Sequence, residues 1–162
     1  MSASRIQDRE VVLSLQPFVL RRRVTWGECD AAGVVYTPRF GDFTADTSQL
    51  FLGHVLGQDG FMRGKEHHGI GTPCKALSFV FHSSLRPDEC VDMQVWVARI
   101  GGTTFELLVR GTTTGGAAVF DSSTTLITVA HGTRRAIRVP DSVRAALQPY
   151  FADPVGASSS TP

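Results

Sequence analysis

The chain has 162 residues, enough for one domain with a real core but little room for a deep enclosed ligand cavity, so a ligand site is expected between subunits. Its charges nearly cancel, 16 Lys and Arg against 15 Asp and Glu, which argues against nucleic acid or an anionic membrane as partner. Three cysteines, Cys29, Cys74 and Cys90, form no C-x-x-C pair and speak against a disulfide framework or a zinc site; with no leader and no bilayer-length apolar run visible, a cytoplasmic protein is expected.

Residues 1–17 mix charge and small apolar side chains without a period and read as an N-terminal arm. Residues 18–150 read as the domain, and 151–162 as a polar, serine-rich tail expected to be disordered. Within the domain, residues 18–26 alternate as a strand with arginines on the open face. From Pro38 onward, Phe40, Phe43, Thr47, Leu50, Phe51, His54 and Val55 recur at helical spacing and predict a long amphipathic helix ending near Gly57. Residues 57–71 are glycine-rich, carry His67-His68, and read as a loop or broken helix of the kind that often lines a site. Four strand runs follow, at 74–83, 90–100, 103–113 and 117–130. Their links, Arg-Pro-Asp-Glu, Gly-Gly and Gly-Gly, are of hairpin type and predict an antiparallel meander. Pro140-Asp141-Ser142 opens a short last helix to about Tyr150. A long helix with one sheet available must lie across that sheet, so the fold class is α+β, a helix wrapped by an antiparallel sheet of about five or six strands.

The segment WGECDAAGVVYTPRFGDF, residues 26–43, sets one acid, Asp30, in a small-residue loop ahead of a helix start. Thr37-Pro38 is a strong helix opening, because a hydroxyl can cap orphan amides and proline at the first position loses no hydrogen bond. Such a helix end carries unpaired N–H groups and partial positive charge, so it would polarise a carbonyl placed there. By loop chemistry alone, Asp30 is either a turn aspartate bonding its own backbone or a carboxylate beside a polarised carbonyl. Gly33 lets the loop turn sharply, and Ala31 and Ala32 leave room for a substrate.

The run Asp30-Ala31-Ala32-Gly33-Val34-Val35-Tyr36-Thr37-Pro38 resembles the signature of hotdog-fold acyl-CoA thioesterases of the 4-hydroxybenzoyl-CoA thioesterase type. Two further matches lie in order along the chain, Gly71-Thr72-Pro73 before a strand and Ala136-Ile137-Arg138-Val139-Pro140 before the last helix. The resemblance implies an acyl-CoA thioester hydrolase in which Asp30 is nucleophile or general base, the Thr37 amide meets the thioester oxygen, and Thr72 lines the site near the carboxylate. It also implies substrate contacts at Gly33, Tyr36, Gly71, Thr104 and Arg135, the last with Arg134 as neighbour. Sites are implied across a dimer, often within a tetramer, with the CoA arm along the subunit boundary. The chemistry needs one oriented carboxylate and one dipole on the carbonyl oxygen, with no metal, no other cofactor and no histidine triad.

Two departures bear on the substrate. The helix position that in the family carries an aspartate near a 4-hydroxyl is Ala45 here, and Asp46 is turned roughly 100° around the helix. The hairpin that in the family carries basic residues for the CoA phosphates is Gly101-Gly102-Thr103. His67 and His68 read as exposed loop residues or as acid–base groups, and Cys29 as a small buried thiol. Glu28 reads either as a neighbour that raises the Asp30 pKa or as a solvent-facing residue. Trp26, Phe79, Phe81 and Trp96 read as core or interface aromatics, some of them candidates for an aryl pocket. Short-chain acyl-CoA hydrolysis, a hotdog hydratase or dehydratase, and a non-catalytic acyl-thioester binder stand as alternatives. His54, the sole helix histidine, lies far from the helix start where the hydratase chemistry needs it.

Overall fold

The computed structural model describes residues 8–57 and 60–151. In chain order it contains β1 Glu10–Leu15, β2 Phe18–Arg23, α1 Arg39–Leu56, α2 Phe61–His67, β3 Ile70–Gly71, β4 Cys74–Phe81, β5 Cys90–Ile100, β6 Thr104–Thr113, β7 Ala118–Ile127, β8 Val129–Ala130 and α3 Asp141–Leu147. Six strands form one antiparallel sheet in the order β1-β2-β5-β6-β7-β4, and β3 pairs with β8. The runs read at 90–100 and 103–113 are strands β5 and β6, in which every second residue is buried from Val91 to Val97 and from Phe105 to Gly111.

Two expectations need correction. Glu10–Leu15, read as part of an arm, pairs with β2 and adds an outer strand; the tail residues 152–162 lie outside the described residues. The four later strands are not a simple meander, because β4 pairs with β7 at the far edge and β5 lands beside β2. The link over residues 82–89 is therefore a crossover and not a tight hairpin. Leu85 anchors it, fully buried, with its carbonyl accepting the Val35 amide at 2.9 Å.

The helix α1 lies on the inner face of the sheet. Phe43 and Phe51 are fully buried, Phe51 packs edge-on to Phe18 at 5.5 Å, and Phe40 packs on Phe120 of β7 at 5.2 Å. Each such ring contributes roughly 1.5–3 kcal/mol by leaving water. The buried stripe is rotated from the one read off the sequence. It takes in Thr44, Ser48, Leu52 and Leu56, whereas Leu50 is 41% exposed. Thr44 is buried because its hydroxyl reaches Ser122 of β7 at 3.2 Å, and Thr47 because it bonds the Phe43 carbonyl at 2.7 Å, so hydroxyls substitute for apolar side chains on this face. The segment over residues 57–71 holds the short helix α2, and His68 bridges Ser142 and the Leu56 carbonyl.

Candidate active site

The Asp30 loop is a tight turn built by its own backbone. The Asp30 amide donates to the Val34 carbonyl at 2.9 Å, the Gly33 amide donates back to the Asp30 carbonyl at 3.0 Å, and Gly33 sits at φ 76°, a conformation glycine adopts without strain. Cys29 and Val35 bridge across the loop, and the Tyr36 amide closes its base on the Glu28 carbonyl at 2.9 Å. Asp30 itself is exposed. Its Oδ1 accepts the Ala32 amide at 2.8 Å, the bond of a turn aspartate, while its Oδ2 is free among the described residues. The two readings of Asp30 are thus compatible, since one oxygen fixes the side chain and the other has no partner among the described residues.

The loop delivers the chain to the start of α1. Pro38, at φ −61°, precedes the first helical residue Arg39, but the Thr37 hydroxyl makes no capping bond. The turn is opened by carbonyls instead, with Tyr36 accepting the Arg39 amide at 2.8 Å, Thr37 the Phe40 amide at 3.2 Å and Pro38 the Gly41 amide at 3.0 Å. The Thr37 amide, one residue outside this series, donates to nothing among the described residues. It stands at the positive end of an 18-residue helix. Tyr36 is 54% exposed beside it.

Behind the loop lies a charged network that the sequence did not disclose. Glu28 neither faces solvent nor points along the strand toward Asp30. It is 6% exposed in a 3₁₀ turn over Trp26–Glu28, bonds the Thr25 amide at 2.8 Å, and pairs with Arg22 at 2.6 Å and with Arg9. Burial pulls the Glu28 carboxyl upward, but the hydrogen bonds from the Thr25 amide and from Arg22 outweigh it and hold the pKa below the ordinary carboxylate value. Asp46 turns toward Arg22 at 3.4 Å, and Ala45 is exposed. Cys29 is half-buried, and its thiol is pushed up by burial and by the negative charges of Asp30 and Glu28, which disfavours a thiolate nucleophile.

The remaining candidates lie elsewhere. Gly71 pairs with Val129, and Thr72 follows it just ahead of β4. Thr104 pairs with Ile127, and the Arg135 carbonyl accepts the Ala130 amide at 2.9 Å. Gly71, Thr72, Thr104 and Arg135 therefore form one cluster at the start of β4. Asp30, Gly33, Tyr36 and Thr37 form another at its end, where Val35 meets Leu85 and the Phe40 ring meets Phe81 at 5.0 Å. Eight residues of β4 separate the clusters, ~23 Å at about 3.3 Å per step, too far for both to serve one reacting carbonyl. Thr72 is 8% exposed, and its hydroxyl is buried without a partner among the described residues.

Around the first cluster stand Arg99, Arg134, Arg135 and Arg138, all exposed and none in a salt bridge among the described residues. Arg138 lies on a segment whose Val139 amide donates to Gly102, so these arginines flank the Gly101-Gly102 hairpin that has no charge of its own. Arg99 precedes that hairpin by two residues in the chain, whereas Arg138 is brought to it only by the fold. His54 is bonded to Tyr150 at 3.0 Å, and His67 is exposed on α2. Among the described residues no group of three or more His, Cys, Asp or Glu could hold a metal ion, and no helix is long and apolar enough to cross a membrane.

Residues 24–147 match the family described as the thioesterase-like superfamily. Among solved structures, a thioesterase superfamily protein from Jannaschia sp. CCS1 is 26% identical and superposes with a TM-score of 0.79 over 85% of this chain and 94% of that one. A gentisyl-coenzyme A thioesterase is 20% identical, TM-score 0.68, over 79% of this chain and 98% of that one. A Staphylococcus aureus protein solved in complex with CoA is 13% identical, TM-score 0.73, over 89% and 94%. No curated protein matches the chain by sequence.

Proposed function

The chain belongs to the thioesterase-like superfamily and is a hotdog-fold thioester hydrolase, and from that footing we propose that it cleaves an aromatic acyl-CoA, in the manner of the 4-hydroxybenzoyl-CoA type, at sites shared by two copies of the chain. The observation that carries the shared site is the separation of the two residue clusters along β4. This strand is outermost in the sheet, and it exposes Leu77, Val80 and Phe81. An unpaired, apolar edge is a template for a second strand. A two-fold axis midway along it, between Leu77 and Ser78, would carry Thr72 and Arg135 of one copy to Asp30 and Thr37 of the other. The orphaned Thr72 hydroxyl would then face the partner's site.

In this site the thioester oxygen lies on the Thr37 amide at the positive end of α1, where negative charge developing on it is stabilised. The free Oδ2 of Asp30 takes a proton from water as the water oxygen bonds to the carbonyl carbon, and the carboxyl then protonates the departing CoA sulfur. Alternatively, Oδ2 attacks the carbon directly, expels the thiolate and forms an anhydride that water opens. Tyr36, Phe79 and Phe81 offer ring surface beside the reacting carbon, with Phe79 and Phe81 stacked at 5.6 Å, which favours a planar acyl group. The four arginines beside Thr72 hold the CoA phosphates.

The test is thiol release by purified protein against a panel of aryl- and short-chain acyl-CoAs, run beside Asp30→Asn. Release on aryl-CoA should fall about 10²–10⁴-fold in the variant, whose fold is unchanged. Full activity in Asp30→Asn would remove the carboxylate from the mechanism, and preference for short acyl chains would remove the aromatic substrate.

A further inference from the structure

Resting on Asp30 as the catalytic carboxylate, we propose that the buried Arg22–Glu28 pair is a positioning device that fixes the Asp30 loop against the start of α1, so that it governs turnover and not substrate binding.

One guanidinium joins β1 and β2 to α1 and, through Glu28, to the Asp30 loop. Arg22 is on β2 and 3% exposed. Its Nη2 donates to Glu28 Oε1 at 2.6 Å, its Nη1 donates to Glu10 of β1 and to Asp46 of α1 at 3.4 Å, and its guanidinium carbon lies 4.4 Å from the centre of the Phe43 ring on α1. Glu28 extends the connection into the loop from both of its ends. Its Oε2 holds the Thr25 amide that precedes the loop, and its own carbonyl holds the Tyr36 amide that follows it. A shift of Glu28 therefore moves Asp30, two residues ahead, relative to the helix whose Thr37 amide takes the oxyanion.

The choice of charge at this place is informative. A buried ion pair is commonly no more stabilising than apolar side chains of the same volume, because desolvation offsets the attraction. The Arg22 Nε, buried without a partner, adds to that cost. What a guanidinium supplies and an aliphatic group lacks is direction, through a rigid fork that holds several oxygens at fixed angles. Such a constraint has most value between a loop and a helix that must be registered to a fraction of an ångström, since a misplacement of about 1 Å can cost 10²-fold in rate.

The experiment compares Arg22→Met, Glu28→Gln, the double variant and Asp30→Asn with the native protein on an aryl-CoA, at a temperature where circular dichroism shows each fully folded. The pair predicts kcat lower by about 10–100-fold in each single variant with KM unchanged, a split that lost stability alone would not produce in folded protein. It also predicts that the double variant is no slower than the slower single, because both changes break one linkage. Glu28→Gln keeps the side-chain shape and decides the matter if Arg22→Met does not fold. Folded variants with native kcat, or losses that multiply in the double, would overturn the positioning role. If Asp30→Asn is inactive while those variants are not, this inference alone fails; if Asp30→Asn is fully active, the reading beneath it fails as well.

Discussion

Mixing two defective subunits gives the sharpest test of a site shared along β4. One subunit carries Asp30→Asn. The other carries Thr72→Val with Arg135→Glu, which alters the cluster at the opposite end of the strand. If each site takes Asp30 from one copy and Thr72 from the other, a mixed dimer contains one site with every lesion and one with none. Random reassortment makes roughly half the dimers mixed, each with one native site of two, so activity should return to about a quarter of the native value. Either subunit alone gives far less, Asp30→Asn because it lacks the base and the other because it loses a site hydroxyl and replaces a positive charge with a negative one. The assay is thiol release after unfolding and refolding the two together at equal concentration, with size-exclusion chromatography to follow assembly. The expectation follows from the ~23 Å that eight strand residues put between the clusters. A mixture no more active than the mean of its two parents would show that the clusters do not meet between chains, and the shared-site reasoning would be refuted.

Three further outcomes are expected. In Gly111→Ala the new Cβ would lie 2.3 Å from Phe120 Cε1, a ring that is fully buried against Phe40, so overpacking should cost about 1–3 kcal/mol and, near the middle of that range, lower Tm by about 4–8 °C. Adding Phe120→Leu should return part of the loss, and a Tm unchanged in Gly111→Ala would contradict the contact. With its thiol pushed up by burial and adjacent carboxylates, Cys29 should be alkylated by iodoacetamide more slowly than the exposed Cys74 at pH 7.5, and Cys29→Ser should keep most of the activity; loss of turnover in that variant would point to sulfur chemistry. Because the folded Glu28 pKa is depressed, its stabilisation is complete above the unfolded value of about 4.3 and is lost as pH falls through the folded value. Urea midpoints of the native protein and Glu28→Gln should therefore converge below that pH, and a constant gap would count against the pair.

Much of the framework was legible because local chemistry and final structure agree. Pro38 and the aromatic spacing marked α1 to within a residue at each end, and the strand-forming run of residues 90–100 between two turn links marked β5 with the bounds it has. The turn around Asp30 was legible for a similar reason, since Gly33 and the Asp30 side chain close it with bonds spanning only a few residues. Thr44 and Ser48 were not legible as buried positions. The Thr44 hydroxyl meets Ser122, 78 residues away in sequence, and the Ser48 hydroxyl is buried without a partner among the described residues, so no local signal places either in the core.

The sequence by itself determined the α+β class, the long helix, the carboxylate loop at its head and the resemblance to thioester hydrolases, because each rests on residues adjacent or periodic along the chain. The tertiary structure decided that β4 crosses to the far edge, that Arg22 and Glu28 form a buried pair, that the Arg138 segment packs on an uncharged hairpin, and that the two groups of site residues stand at opposite ends of one strand. Strand order and ion pairing depend on which distant surfaces exclude water together, a property of the packed chain that no window of sequence contains.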